Sequence, residues 1–208
     1  MTTESTEHEP IEVEYTKKGR HIEYLSLGWT SLEAIAGIIA GLIAGSIALI
    51  GFGADSVIEI ASSAILLWRL SDHAPGEQRE HTALKLVGVS FLVLAAYVAF
   101  ESVESLLRHE APQVSYFGIG FSVACLFVMP LLARAKRRVA SQLRSGALEA
   151  DSRQSSICAY LAGILLGGLA LNALLGWWWA DPLAALIMVP IMLKEGVAAI
   201  RGETCCCD

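Results

Sequence analysis

The apolar positions of this chain form six long runs, separated by short polar or glycine-containing breaks. The runs cover Leu27–Ile43, Ile47–Leu70, Thr82–Leu107, Val114–Leu132, Leu148–Leu175 and Trp179–Ile200. A helix needs about 20 mostly apolar residues to cross the hydrocarbon core of a bilayer. The pattern therefore predicts an all-α polytopic membrane protein, a six-helix transmembrane bundle. The composition agrees, because 54% of the residues are hydrophobic and 17% are charged, against about 25% charged residues in soluble domains.

The breaks and small residues predict how the spans pack. Residues 44–46 separate spans 1 and 2, and residues 176–178 separate spans 5 and 6, so each pair is expected to be a helical hairpin. Glycines recur every four residues at Gly37, Gly41 and Gly45 in span 1 and at Gly163 and Gly167 in span 5. Such spacing allows close backbone approach between membrane helices. Spans 1, 2 and 5 are therefore expected to form the tight core.

Charge outside the spans predicts the orientation. Most Lys and Arg residues near the spans flank one set of helix ends: Lys17, Lys18, Arg20, Arg69, Arg79, Lys85, Arg134, Lys136, Arg137, Arg138, Arg144 and Arg201. Arg108 is the exception and falls on the other side. Positive residues favour the cytoplasmic side. Both termini are therefore predicted to be cytoplasmic, in a protein integral to the plasma (inner) membrane. Trp177, Trp178 and Trp179 are expected at the opposite interface.

The chain is expected to have three parts. Residues 1–24 are predicted to be a disordered acidic tail, residues 25–201 the six-span domain, and residues 202–208 a short Cys-rich tail without a soluble C-terminal domain. In that tail, Cys205, Cys206 and Cys207 are candidate ligands for a soft metal. Acylation beside the membrane and a tail without function are the alternatives.

Two carboxylates inside span 2 are the main chemical signal. Charge at bilayer depth costs about 2.5 to 3.5 kcal/mol per group on insertion scales. Asp55 and Glu59 stand at i and i+4, hence on one helix face. They would repel each other unless a cation lies between them, so we expect them to bind a transported metal ion. Structural hydrogen bonds or a pair with Arg153 are the alternative.

A second polar face opens span 5. Asp151, Ser155 and Cys158 stand at i, i+4 and i+7. Oxygen ligands from two helices, with a thiolate, suit a divalent cation such as Zn²⁺ or Mn²⁺. Alternatively Asp151 is a helix cap or a partner of Arg144, and Ser155 and Cys158 are packing residues. Four other polar residues are interpreted as interface or packing groups, with Glu33 also considered as a vestibule charge: Glu33, Glu101, Glu104 and Asn172.

Three segments resemble the cation diffusion facilitator (cation efflux) family. They are Gly45-Ser-Ile-Ala-Leu-Ile-Gly-Phe-Gly-Ala-Asp55-Ser-x-x-Glu59, Phe100-Glu-Ser-Val-Glu-Ser-Leu-Leu107 and Trp179-Ala-Asp181-Pro-Leu-Ala-Ala-Leu. The resemblance covers residues 27–201, the transmembrane domain only. It implies a proton-coupled exporter of divalent cations, usually a homodimer, with a mid-membrane site from spans 2 and 5.

The resemblance also implies a ligand set. The family's span 2 pair maps onto Asp55 and Glu59, and its span 5 pair maps onto Asp151 and Ser155. Glu59 stands where the family has Asp, and Ser155 stands where it has a carboxylate. The site contains no histidine.

The resulting hypothesis is a secondary transporter, an exporter of Zn, Mn, Fe, Co or a similar divalent cation with protons as counter-ion. The cation is cargo, and no permanently bound cofactor is expected. The alternative is a non-transporting metal-binding or regulatory membrane protein of the same fold. A carrier of another solute is a further alternative. An enzyme is not expected, because no nucleophile and base arrangement is visible. Nucleic acid is not expected either, because no basic run with interleaved aromatics occurs.

Overall fold

The computed structural model describes residues 8–69, 77–109, 112–143 and 146–201, and this part of the chain is helical without a strand. It contains six helices: α1 (His8–Ala44), α2 (Ile47–Arg69), α3 (Glu77–Arg108), α4 (Tyr116–Leu143), α5 (Gly146–Leu175) and α6 (Ala180–Arg201). All but α2 contain a segment long and apolar enough to cross a membrane. α2 packs among them, against α1, α3, α5 and α6. The all-α polytopic prediction is confirmed.

The first helix begins earlier than the sequence pattern indicated. α1 starts at His8, so the prediction of disorder is wrong for residues 8–24. One local feature favours the helix: Pro10 falls in its first turn, where proline is tolerated. Packing adds to this, because Glu23 is buried. Residues 1–7 and the candidate ligands Cys205, Cys206 and Cys207 lie outside the described residues.

The fourth helix runs past the predicted end of span 4 at Leu132. α4 continues to Leu143 with Pro130 inside it. The segment that the sequence placed in a basic loop is an amphipathic helix. Ala133, Lys136 and Ala140 are buried on one face while its arginines are exposed, and Arg, Lys and Ala all favour helix. Lys136 therefore belongs to the bundle interior and not to the loop.

Glycines set the closest helix contacts. The helices pair as α1 with α2, α4 with α5, and α3 with α6. A Cβ on Gly37 of α1 would lie 2.9 Å from Cα of Gly53 on α2, so these backbones touch as predicted. The Gly163 and Gly167 prediction is wrong: among the described residues, an added Cβ would meet only Leu126 at 3.7 Å in the first case and nothing within 4 Å in the second. Gly168 makes the close contact instead, with α6.

Both predicted hairpins are present, and their turns meet at one end of the bundle. Gly45 and Gly176 end α1 and α5 with φ of 66° and 65°, a left-handed conformation that glycine adopts without a Cβ penalty. Asp181, buried in the first turn of α6, accepts hydrogen bonds from Ser46 Oγ at 2.5 Å and from the Ala48 amide at 3.4 Å. The Ala-Asp-Pro opening of α6 therefore attaches this helix to the α1–α2 turn.

Candidate metal site

A stripe of buried polar residues runs along α1. Glu23, Ser26, Thr30 and Glu33 are all at most 2% exposed. Their spacing of three, four and three residues places them on one helix face, which turns toward the other helices. Glu33 lies near the middle of the candidate span Lys17–Ala44, so its carboxylate is at the depth expected for an intramembrane ion site.

Three helices bring potential metal ligands together at this depth. Ligand atoms of Glu33 (α1), Glu59 (α2) and Cys158 (α5) lie within 4.8 Å of one another, and all three residues are buried. We call these residues the triad. The Cys158 thiol donates to Glu33 Oε2 at 3.7 Å, and Trp29 Nε1 donates to Glu33 Oε1 at 2.6 Å. The indole therefore orients Glu33 from the same helix.

The carboxylates of α2 are short of partners. Both oxygens of Glu59 and Oδ2 of Asp55 are buried without a hydrogen bond in the described part of the chain. Asp55 lies one turn before Glu59 and is 2% exposed, and the Glu33 carboxylate lies within 4.8 Å of Glu59. Buried carboxylates without partners are costly unless a cation compensates them. The arrangement is therefore suited to hold a cation.

The ligand types indicate which cations fit. Two carboxylates and a thiolate offer oxygen and sulfur donors, a set that Zn²⁺ and similar borderline ions accept. Tetrahedral Zn–O and Zn–S bonds of about 2.0 and 2.3 Å would place ligand atoms about 3.3 to 3.5 Å apart. Small side-chain movements would close the triad to that size.

The structure separates the sequence-predicted residues into two groups. Asp55 and Glu59 share one helix face, as predicted, and Cys158 lies beside Glu59. Asp151 instead binds Lys136 of α4 and accepts from Ser63 Oγ at 3.4 Å.

Ser155 is also directed elsewhere. Its hydroxyl donates to the backbone carbonyl of Asp151 at 3.3 Å. Asp151 and Cys158 are separated by about 10 Å of helix rise. In α5, therefore, the structure brings Cys158 to the Glu59 carboxylate, and neither Asp151 nor Ser155 belongs to the triad. The alternative partner of the α2 carboxylates, Arg153, pairs with Glu149 at 3.0 Å on the exposed side of α5.

Glu33 is the site residue that the sequence interpretation undervalued. Its position soon after the start of the first apolar run suggested a group near the interface. The available signal was the helical spacing of Glu23, Ser26, Thr30 and Glu33, which predicts one polar face through the span. Because α1 begins well before that run, Glu33 lies deeper in the bundle than the run alone indicated.

Comparison with known proteins shows the family to which the chain belongs. A family model for the cation efflux transmembrane domain matches residues 24–203. The chain belongs to the cation efflux family. Among curated proteins it is 28% identical over 197 residues to transmembrane protein 163 of Xenopus laevis, covering 93% of the chain and 70% of that protein. The predicted family resemblance is therefore confirmed.

Two bacterial relatives share a smaller part of their length. An uncharacterized transporter of Synechocystis is 28% identical over 168 residues, covering 76% of the chain and 54% of that protein. A cadmium, cobalt and zinc/H(+)-K(+) antiporter of Bacillus subtilis is 24% identical over 185 residues, covering 81% of the chain and 56% of that protein. The chain thus spans just over half the length of these two cation efflux relatives.

Proposed function

We propose that this protein is a secondary transporter that exports divalent metal cations from the cytoplasm, with protons moving in exchange. The observation that carries the proposal is Glu59: both of its carboxylate oxygens are buried and accept no hydrogen bond from the residues that the structure describes, and its ligand atom lies within 4.8 Å of those of Glu33 and Cys158. Membership of the cation efflux family and a relative named as a cadmium, cobalt and zinc antiporter support metal ions as the cargo.

The triad supplies the ligands in this proposal. Glu33, Glu59 and Cys158 bind the ion, and Asp55 adds negative charge one turn away on α2. A thiolate among the ligands favours Zn²⁺, Co²⁺ and Fe²⁺ over the harder Mn²⁺. The cargo is therefore expected to be a borderline or soft divalent cation.

Proton exchange follows from the ligand chemistry. Carboxylates and thiols must lose protons before they bind a metal ion, so protons and metal compete for the same atoms. In an alternating-access cycle, the site releases the metal on one side and returns protonated. An inward proton gradient would then drive metal out of the cytoplasm. The distribution of Lys and Arg supports cytoplasmic termini in the plasma membrane, and a homodimer is proposed from the family.

A flux assay with a matched pair of variants tests the proposal. The protein is reconstituted into sealed proteoliposomes, and Zn²⁺ movement is followed with an inward pH gradient. Glu59→Gln should abolish flux because it removes a ligand with little change in shape. The control is Glu104→Gln, which alters a partly exposed carboxylate that pairs with Arg108 at 2.5 Å and should leave flux unchanged.

The same experiment separates transport from binding alone. If the protein is a non-transporting metal-binding protein, the wild type will bind Zn²⁺ but show no flux. Equal flux in the wild type and in Glu59→Gln would contradict the assignment of the triad.

A further inference from the structure

A second group of buried charges lies at the other end of the polar stripe from the triad. The Lys136 side chain is fully buried; it forms ion pairs with Asp151 of α5 and, at 3.6 Å, with Glu23 Oε2 of α1. Ser63 of α2 donates to Asp151 Oδ1 at 3.4 Å. Residues of four helices therefore meet in one buried cluster around Lys136.

This group has more negative charge and more oxygen atoms than the ammonium satisfies. Two carboxylates share the single positive charge of Lys136. Neither oxygen of Glu23 has a hydrogen bond within the described residues, and the same is true of Ser26 Oγ, one turn further along α1. An uncompensated charge in a buried site is strongly unfavourable. A divalent cation would balance both carboxylates, which the ammonium alone does not.

Hydroxyl groups connect this cluster to the triad. Along α1, Ser26 and Thr30 stand between Glu23 and Glu33, which are separated by about 15 Å of helix rise. Along α5, Ser155 stands between Asp151 and Cys158. Glu23, Ser26 and Asp151 lie toward the end of the bundle that carries the basic helix ends, and Thr30 lies near the middle of the candidate span of α1. A polar path therefore leads from the cluster to the triad along facing helices.

We propose that Glu23, Asp151 and Ser63 form a second cation site at the cytoplasmic entrance, where the Lys136 ammonium and the transported divalent cation alternate as occupants. This inference rests on the proposed function, since the triad is the destination of the ion. Lysine suits the role because its ammonium is a compact charge on a flexible stem. While the entrance holds no metal ion, the Lys136 ammonium partly balances the charge of the Glu23 and Asp151 carboxylates. An arriving divalent cation then displaces the ammonium from them.

The charge of Lys136 also couples the two sites. Lys136, Asp151 and Glu59 are all buried, and charges inside a protein are screened much less than charges at its surface, so displacement of the ammonium changes the field at the triad. Lys136 is therefore a positioning residue for the ion path and does not itself ligate the metal.

Metal stoichiometry tests the inference in the full chain held in lipid nanodiscs, with Zn²⁺ and equilibrium dialysis. Lys136→Gln removes the competing ammonium and should add about one further zinc ion per chain. The double variant Lys136→Gln/Glu23→Gln should lose that extra ion. Arg137→Gln is the control, because it removes an exposed positive charge from the neighbouring position of α4 and should leave the stoichiometry unchanged.

The results separate this inference from the proposed function. If the triad does not bind metal, Glu59→Gln will not change wild-type stoichiometry, whereas Lys136→Gln will still add an ion that depends on Glu23. If the entrance site is wrong, Lys136→Gln will bind no additional zinc, or an additional ion will persist in the double variant.

Asp151→Asn covers the case in which Lys136→Gln does not fold. It leaves Lys136 paired with Glu23, and it should lower Zn²⁺ flux about tenfold while the triad still binds one ion, because the entrance loses a ligand. A purely structural ion pair would change thermal stability without changing flux in the folded protein. Unchanged flux would therefore overturn the inference.

Discussion

The contact between α1 and α2 at Gly53 allows the link between helix packing and ion binding to be tested. A Cβ at Gly53 would lie 2.6 Å from the Ile38 amide nitrogen and 3.0 Å from the Gly37 carbonyl carbon. Both are backbone atoms, so no side-chain rotation relieves the clash in Gly53→Ala. Ordinary contact begins near 3.4 Å, and the two helices must therefore separate locally by about 0.8 Å.

Two effects of this separation have estimable size. Overpacking costs about 1 to 3 kcal/mol, and replacing glycine by alanine inside a helix returns about 1 kcal/mol, so the net loss of stability is at most about 2 kcal/mol. The ion site is also affected, because Glu33 is on α1 and Glu59 is on α2. The triad must contract to bind Zn²⁺, and wider helix spacing opposes this. We expect zinc affinity to fall about tenfold, which corresponds to about 1.4 kcal/mol.

Thermal unfolding in detergent and competitive Zn²⁺ titration measure the two effects. Gly167→Ala is the matched control, since an added Cβ there meets nothing within 4 Å. It should increase stability through helix propensity and leave zinc affinity unchanged. If Gly53→Ala is as stable as the control and binds Zn²⁺ like the wild type, the proposed dependence of the site on the α1–α2 contact is wrong.

Three further predictions concern the α6 attachment and the ligands. Asp181→Ala leaves the Ser46 hydroxyl and Ala48 amide without their acceptor and should cost about 1 to 3 kcal/mol in thermal unfolding. Asp181→Asn keeps one acceptor oxygen and should lose less, so an equally large loss would argue against the hydrogen bonds as the cause. Zinc affinity should fall as pH drops from about 8 to 6 because protons compete for the ligands, and calorimetry showing neither a pH effect nor proton release would refute that competition. Cys158→Asp should retain metal binding but shift the relative affinity toward Mn²⁺, and an unchanged preference would show that the thiol is not a ligand.

The helical architecture could be predicted from the sequence because the membrane imposes strong local rules. Apolar runs of span length predict the five helices that are long and apolar enough to cross a membrane, and the glycine breaks predict both hairpin turns. Helix ends were less predictable where polar sequence continues a helix. Residues 8–24 belong to α1, and the basic end of α4 is an amphipathic helix. Neither segment is apolar enough to be assigned to a span from hydropathy.

The candidate site could be predicted only in part. Asp55 and Glu59 stand out locally, because two carboxylates one turn apart in an apolar run are costly. The register of α5 against α2 depends on tertiary packing, and it places Cys158 beside Glu59 where the family pattern suggested Ser155. Lys136 follows the apolar run of span 4 and therefore resembles a loop residue in the sequence, but it lies inside α4, and its ion pair with Asp151 explains why Asp151 is directed away from the triad.

X-ray absorption at the zinc edge tests the central claim most directly, because it reports the atoms bound to the metal. Zinc-loaded wild-type protein should show sulfur at about 2.3 Å together with oxygen at about 2.0 Å. The sulfur signal should disappear in Cys158→Ser, a variant that keeps a buried polar side chain at the same position. A wild-type spectrum with oxygen or nitrogen ligands alone, or a sulfur signal that persists in Cys158→Ser, would contradict the assignment of Glu33, Glu59 and Cys158 as the transport site.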